Sequence, residues 1–163
     1  MKKLVSILLA LITAVAVSAQ SLPNLKVEDL AGKEIAVRSL VGEKPLIMCF
    51  WAITCKPCIM EINTINDQIE EWRKMADFNV VVVSVDDVRM KSKARSFAQS
   101  NGWDWGFTCL FDYNQALKRA MNVSLTPQSF VFDQQGNVVF SHSGYTPGSE
   151  QQLIEKVIEI SKK

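Results

Sequence analysis

Apolar and polar positions fall into alternating blocks along the chain, and the spacing within each block predicts its element. Leu25 to Val37 predicts a hairpin, Lys26–Asp29 and Lys33–Val37 joined across Ala31-Gly32-Lys33. After Pro45, Leu46-Ile47-Met48-Cys49-Phe50-Trp51 is apolar without alternation, as expected of a central strand covered on both faces. Ile59, Ile62, Ile65, Ile69, Trp72 and Met75 then recur at three- and four-residue steps and predict a helix. Pro57 suits its first turn, where a missing N–H costs nothing. Phe78 to Val85 holds four consecutive valines, a second doubly covered strand. Met90 to Ser100 predicts a helix by Ala94, Phe97 and Ala98, stopped at Asn101-Gly102. A Trp103-Asp104-Trp105-Gly106 loop leads to a short strand, Phe107–Phe111, and to a short helix, Gln115–Met121, capped by Asp112 and ended by a left-handed Asn122. Ser129–Asp133 and Val138–Ser141 predict a second hairpin around Gln134-Gln135-Gly136-Asn137. Ser149 with Gln152 predicts a capping box for a last helix that turns Leu153, Ile154, Val157 and Ile158 to the core. Strands alternating with helices, closed by a hairpin and a helix, give an α/β protein with a central mixed β-sheet flanked by helices.

The first block is of another kind. Lys2-Lys3, the apolar stretch from Leu4 to Val17 and the small residues Val17-Ser18-Ala19 before Gln20 predict an export leader over residues 1–19. The stretch is shorter than the roughly 20 apolar residues a membrane-spanning helix needs. The expectation is a periplasmic or secreted domain over residues 20–163; the other outcome is an uncleaved segment that anchors it to the membrane. Without Lys2 and Lys3, sixteen basic residues meet seventeen acidic ones, a net charge of −1. So small a charge offers no electrostatic footprint for nucleic acid and no polybasic hold on an anionic membrane. With 48% hydrophobic residues the chain has material for one ordinary core, and a monomer is expected.

Candidate chemistry lies at the end of the first apolar run, in Cys55-Lys56-Pro57-Cys58. Two thiols at this spacing, one at a helix N-terminus and the next a turn inside, can close a small disulfide ring, as a redox pair or as a static staple. The thiolate is the nucleophile, and a helix N-terminus lowers a cysteine's pKa through its unpaired N–H groups. Cys55 is therefore expected to attack and the more buried Cys58 to resolve the mixed disulfide. Zinc needs four ligands, and Cys49, Cys109 and His142 are too scattered to complete a set, so no metal is expected. Cys49 and Cys109 read as buried free thiols, with a second disulfide or a shuttle thiol as the other reading, and His142 as a surface residue beyond the last strand. Trp103 and Trp105 fit a substrate groove and a core edge equally well.

Phe50-Trp51-Ala52-Ile53-Thr54-Cys55-Lys56-Pro57-Cys58 with Glu61, and Leu125-Thr126-Pro127 before Phe130-Val131-Phe132-Asp133 and Gly136, resemble the thioredoxin superfamily, more narrowly its exported TlpA/ResA-type thiol–disulfide oxidoreductases. The resemblance covers residues 20–163. It implies a thioredoxin-like fold with an N-terminal β-hairpin and a central strand–helix insertion. It also implies a cis peptide at Thr126-Pro127, substrate docking on Trp51, Lys56, Pro57, Thr126 and Pro127, and an acidic residue, Glu61, that tunes the dithiol or relays a proton to or from Cys58. A solvated helix carboxylate is the plain alternative for Glu61. Two positions depart from the pattern. Thr54 stands where the family usually has an aromatic, and Cys49 stands where cytosolic thioredoxins carry a buried aspartate, which leaves Glu61 as the candidate base.

The expected function is an exported dithiol–disulfide oxidoreductase acting as a reductase. Its partners would be protein thiols and disulfides, apocytochrome c among them, together with a membrane-associated electron donor. The redox-active Cys55–Cys58 pair serves in place of any cofactor. A thiol peroxidase would use the same wider fold, but no Pro-x-x-x-Thr-x-x-Cys arrangement surrounds Cys55. A copper-handling protein would use Cys55, Cys58 and His142.

Overall fold

A computed structural model of the protein describes residues 20–162, and the leader expected over residues 1–19 lies outside them. In chain order the described residues form strands β1 (Lys26–Asp29), β2 (Glu34–Ala36), β3 (Leu46–Trp51), β4 (Asn79–Ser84), β5 (Thr108–Phe111), β6 (Gln128–Phe132) and β7 (Val138–Ser143). The helices are α1 (Lys56–Met75), α2 (Lys91–Ser100), α3 (Ala116–Ala120) and α4 (Gln151–Ser161). All seven strands join one sheet in the order β2-β1-β5-β4-β3-β6-β7. β3, β4 and β5 run parallel, and every other pairing is antiparallel. This is the mixed, helix-flanked sheet expected, with the N-terminal hairpin β1–β2 at one edge and β4 to α3 filling the stretch between α1 and Thr126.

The central strands lack polar alternation because both of their faces are covered. On one face Ile47, Cys49 and Trp51 of β3 meet Ile62, Ile65 and Trp72 of α1, Ala94 and Ala98 of α2, and Leu153 and Val157 of α4. On the other, Leu46, Met48 and Phe50 meet Leu22, Val27, Leu117 and Met121. The parallel strands end together, with Trp51 paired to Ser84 and Ser84 to Phe111. The segments that leave them therefore gather at one sheet edge, as ligand-binding loops do in open α/β sheets.

Arg95 of α2 fastens the N-terminal hairpin, donating to Glu28 Oε2 at 2.8 Å and to the Asp29 carbonyl at 3.3 Å. The hairpin turns at Gly32, whose φ of 85° lies in the left-handed region; a side chain there would also crowd the Arg95 guanidinium.

Several local expectations are corrected. Ser149 and Gln152 form no capping box. The chain enters α4 at Glu150, whose carboxylate accepts from Gly148 N at 2.9 Å, while Ser149 Oγ accepts from Thr146 N in the preceding turn. Asp112 does cap α3, accepting from Leu117 N and Lys118 N, but the residue before the helix is Gln115 in the left-handed conformation. Met75 closes the predicted apolar stripe yet is exposed, because the last turn of α1 runs past the core. His142 lies within β7, which is longer than predicted, and pairs with Ser129. The Trp103–Trp105 segment is a single 3-10 turn that divides its tryptophans: Trp103 is buried, with Nε1 donating to Asn63 Oδ1 at 2.8 Å, and Trp105 is 90% exposed.

Candidate active site

The dithiol leaves the end of β3 through a tight turn and enters α1 directly. Cys55 N donates to the Ala52 carbonyl at 2.9 Å, and Ile59 N closes the first helical bond onto the Cys55 carbonyl at 3.2 Å. Asp86 steadies the turn from the neighbouring strand end, accepting from Ile53 N at 3.0 Å and from Ser84 Oγ at 2.9 Å. Cys55 and Cys58 are joined by a disulfide with their Cα atoms 5.3 Å apart. Cys55 is half-buried and Cys58 is fully buried, so solvent and any partner meet Cys55 first.

One turn past the disulfide, Glu61 carries the one charged side chain on the buried face of α1, and the residue is 1% exposed. Its position three residues past Cys58 puts the two on the same side of the helix. Ser129 Oγ donates to Glu61 Oε1 at 3.0 Å, and Oε2 is buried with no partner. Burial pushes the Glu61 carboxyl up to about 7; the Ser129 hydrogen bond opposes this, and the charge of Glu150 adds to it. Cys49 lies against the same group. Burial and the Glu61 charge hold its thiol well above the ordinary range, and the Ser129 hydroxyl acts the other way. Cys49 is thus a neutral, free thiol. Cys109, the other free cysteine, is pushed up to about 12 by burial and by Asp104.

Thr126-Pro127 is a cis peptide. Phe50 pairs with Gln128, so the register carries Pro127 to the end of β3 from which the dithiol departs. Of the residues expected to dock a substrate, Lys56 and Pro57 are exposed, Thr126 is half-buried and Pro127 is buried. Trp51 is not on a docking surface. It is 1% exposed and stands edge-on to Trp103, with ring centroids 4.8 Å apart, because the last residue of a doubly covered strand turns into the core. Leu125, just before the cis bond, is 80% exposed. Among the described residues no group of three or more His, Cys, Asp or Glu is placed to hold a metal ion.

Sequence reasoning missed Ser129, Asp86, Tyr145 and Glu150. Ser129 is the lone inward polar position in an apolar strand, and that was a usable signal. Glu150 and Tyr145 carried none, since the turn into α4 brings them near Glu61 only in the folded chain.

A dithiol opening a helix with its first cysteine half-buried, a cis-proline at the same sheet edge and a mixed, helix-flanked sheet define a thioredoxin-like protein of the dithiol class. The chain belongs to the AhpC/TSA family, whose model matches residues 19–141. The thiol-disulfide oxidoreductase ResA of Bacillus thuringiensis (strain Al Hakam) is 31% identical over 117 residues, 72% of this chain. This chain spans 64% of the length of that relative. The solution structure of an uncharacterized thioredoxin-like protein from Porphyromonas gingivalis aligns with a TM-score of 0.75 at 36% identity, covering 88% of this chain and 94% of that one. Xanthomonas campestris peroxiredoxin Q aligns with a TM-score of 0.69 at 19% identity over 84% of this chain and 91% of its own, a likeness of fold alone. Among the described residues no helix is long and apolar enough to cross a membrane.

Proposed function

We propose that the protein is an exported thiol–disulfide oxidoreductase that reduces disulfides in other proteins. The observation that carries this is the Cys55–Cys58 disulfide at the start of α1, with its asymmetric burial. In the reduced protein the Cys55 thiolate attacks one sulfur of a substrate disulfide, and the other substrate sulfur leaves as a thiolate that takes a proton from solvent. Cys58 then gives its proton to Glu61 and attacks Cys55 Sγ. The Cys55–Cys58 bond forms as the bond to substrate breaks, and two electrons have passed to the substrate. Both electrons are carried by sulfur, so the cycle needs no cofactor. Exported proteins with paired cysteines, apocytochromes c among them, are the substrate class, and a membrane-associated dithiol donor restores the reduced state.

The role of Glu61 rests on its burial beside the dithiol and on a carboxyl whose ionisation falls near neutral pH, where a general base works best. Exposed Leu125 beside Thr126 offers an apolar contact to an extended substrate, in place of the aromatic that Thr54 replaces.

Trapping tests the reading. Cys58→Ser in the full chain should accumulate mixed disulfides on Cys55 that are identified by mass, and Cys55→Ser should accumulate none. Peroxide consumption that survives Cys58→Ser but not Cys55→Ser would instead establish a thiol peroxidase. A reduction potential near that of a strong oxidant would reverse the direction of transfer.

A further inference from the structure

The two oxygens of the Glu61 carboxyl have different surroundings. Oε1 accepts from Ser129, and Oε2 is buried without a partner. Folded proteins seldom leave a buried acceptor without a hydrogen-bond partner. Ser129 reaches this place by strand register, not by nearness in sequence. It stands opposite Cys49 of β3 and opposite His142 of β7, in one row across three strands, and opposed residues of antiparallel strands share a sheet face. The row faces α1, where Cys49 and Cys58 belong to the same buried cluster. Ser129 from β6 hydrogen-bonds Glu61, Cys49 from β3 and Tyr145 and Glu150 from the segment entering α4 interact electrostatically with it, and Cys58 stands one turn back on its own side of α1, while His142 pairs with Ser129 from β7. The Tyr145 hydroxyl is held 3.1 Å from Thr64 Oγ1, one turn along α1 from Glu61.

Resting on the reading of Glu61 as proton acceptor, we propose that Ser129 is the positioning residue for this transfer: by donating to Oε1 it fixes the carboxyl and leaves Oε2 to take the Cys58 proton. A hydroxyl suits the task because it carries one O–H donor, which can satisfy one carboxyl oxygen and leave the other open. Cys49, neutral in this environment, supplies no charge that could stand in for the carboxylate. When Cys58 loses its proton to Oε2, its thiolate attacks Cys55 Sγ and expels the substrate thiolate, which is protonated by solvent. Glu61 gives the proton up before the next turnover. Throughout, the Ser129 bond holds the carboxyl against rotation.

The test is a carboxyl titration of the full oxidised chain carrying 13C-labelled glutamate, with the Glu61 signal assigned by its loss in Glu61→Gln. The carboxyl signal reports Glu61 directly and does not report protonation of His142. Ser129→Ala removes a hydrogen bond that favours the carboxylate, so the midpoint should rise by about one pH unit. Ser129→Thr, which keeps the hydroxyl, should hold it near the wild-type value. In a second measurement, release of a thiol from a preformed mixed disulfide on Cys55 should slow by about tenfold in Ser129→Ala and by about a hundredfold in Glu61→Gln, the low end of what general acid–base catalysis contributes. An unmoved midpoint and an unchanged release rate in Ser129→Ala, beside slow release in Glu61→Gln, would overturn the role of Ser129 and leave that of Glu61 standing. Wild-type release in Glu61→Gln would overturn both. The alanine variant only trims a small side chain, so it decides the matter even if the added methyl of threonine is not accommodated.

Discussion

Replacing Glu61 by glutamine should remove a pH-dependent penalty from the stability of the oxidised protein, and its size follows from the burial of the carboxyl. The group ionises at about 7 in the folded chain, against 4.5 for an unperturbed glutamate. Between those values the folded state holds a proton that the unfolded chain has released. A raised carboxyl therefore contributes its full stability below the unfolded value, and that contribution is lost as pH rises through the folded one. At about 1.4 kcal/mol for each tenfold change in proton affinity, the full loss is about 3 kcal/mol, of which about 2.5 kcal/mol falls between pH 5 and pH 8. With a urea dependence of about 2 kcal/mol per molar, that is a fall of about 1 M in the unfolding midpoint. The assay is equilibrium urea unfolding of the oxidised wild type and of Glu61→Gln at both pH values, followed by far-ultraviolet circular dichroism. The wild type should lose about 2.5 kcal/mol more than the variant on going from pH 5 to pH 8. Equal losses in the two proteins would refute the reasoning, because the carboxyl would then be ionised normally in the folded state.

Two further predictions concern how the site is supported. Trp103→Ala should cost about 3–5 kcal/mol, since the ring is buried against Trp51 and Phe97 and its Nε1 is bonded to Asn63; urea unfolding at constant pH measures it, and a loss below about 1 kcal/mol would show that the aromatic cluster closes over the gap. Asp112→Ala should cost about 1–2 kcal/mol by orphaning the amides of Leu117 and Lys118, with Asp112→Asn recovering part of the loss, because an asparagine side chain retains one acceptor; equal losses in the two variants would remove the cap from the account of α3.

Periodicity makes most of the fold legible in the sequence. The doubly covered strands Leu46–Trp51 and Asn79–Ser84, the stripe Ile62-Ile65-Ile69 of α1 and the left-handed Asn122 are local patterns set by side-chain burial and backbone sterics, and they appear where the chain predicts them. Helix entry was less legible. Ser149 had the right chemistry for a cap, but the turn over residues 146–149 used its hydroxyl and passed the task of entering α4 to Glu150.

What the sequence determined by itself is the dithiol: Cys55 and Cys58 lie three residues apart where a strand meets a helix, so local geometry alone brings their sulfurs together. The spacing also put Glu61 on the side of α1 that carries Cys58. Only the tertiary structure decided what surrounds that carboxyl. Ser129 and Cys49 are distant in the chain and become neighbours through the pairing of β3 with β6, while Glu150 and Tyr145 arrive with the segment that leads into α4. The ionisation of a buried acid depends on desolvation and on partners supplied by other elements, and no local pattern of residues encodes either.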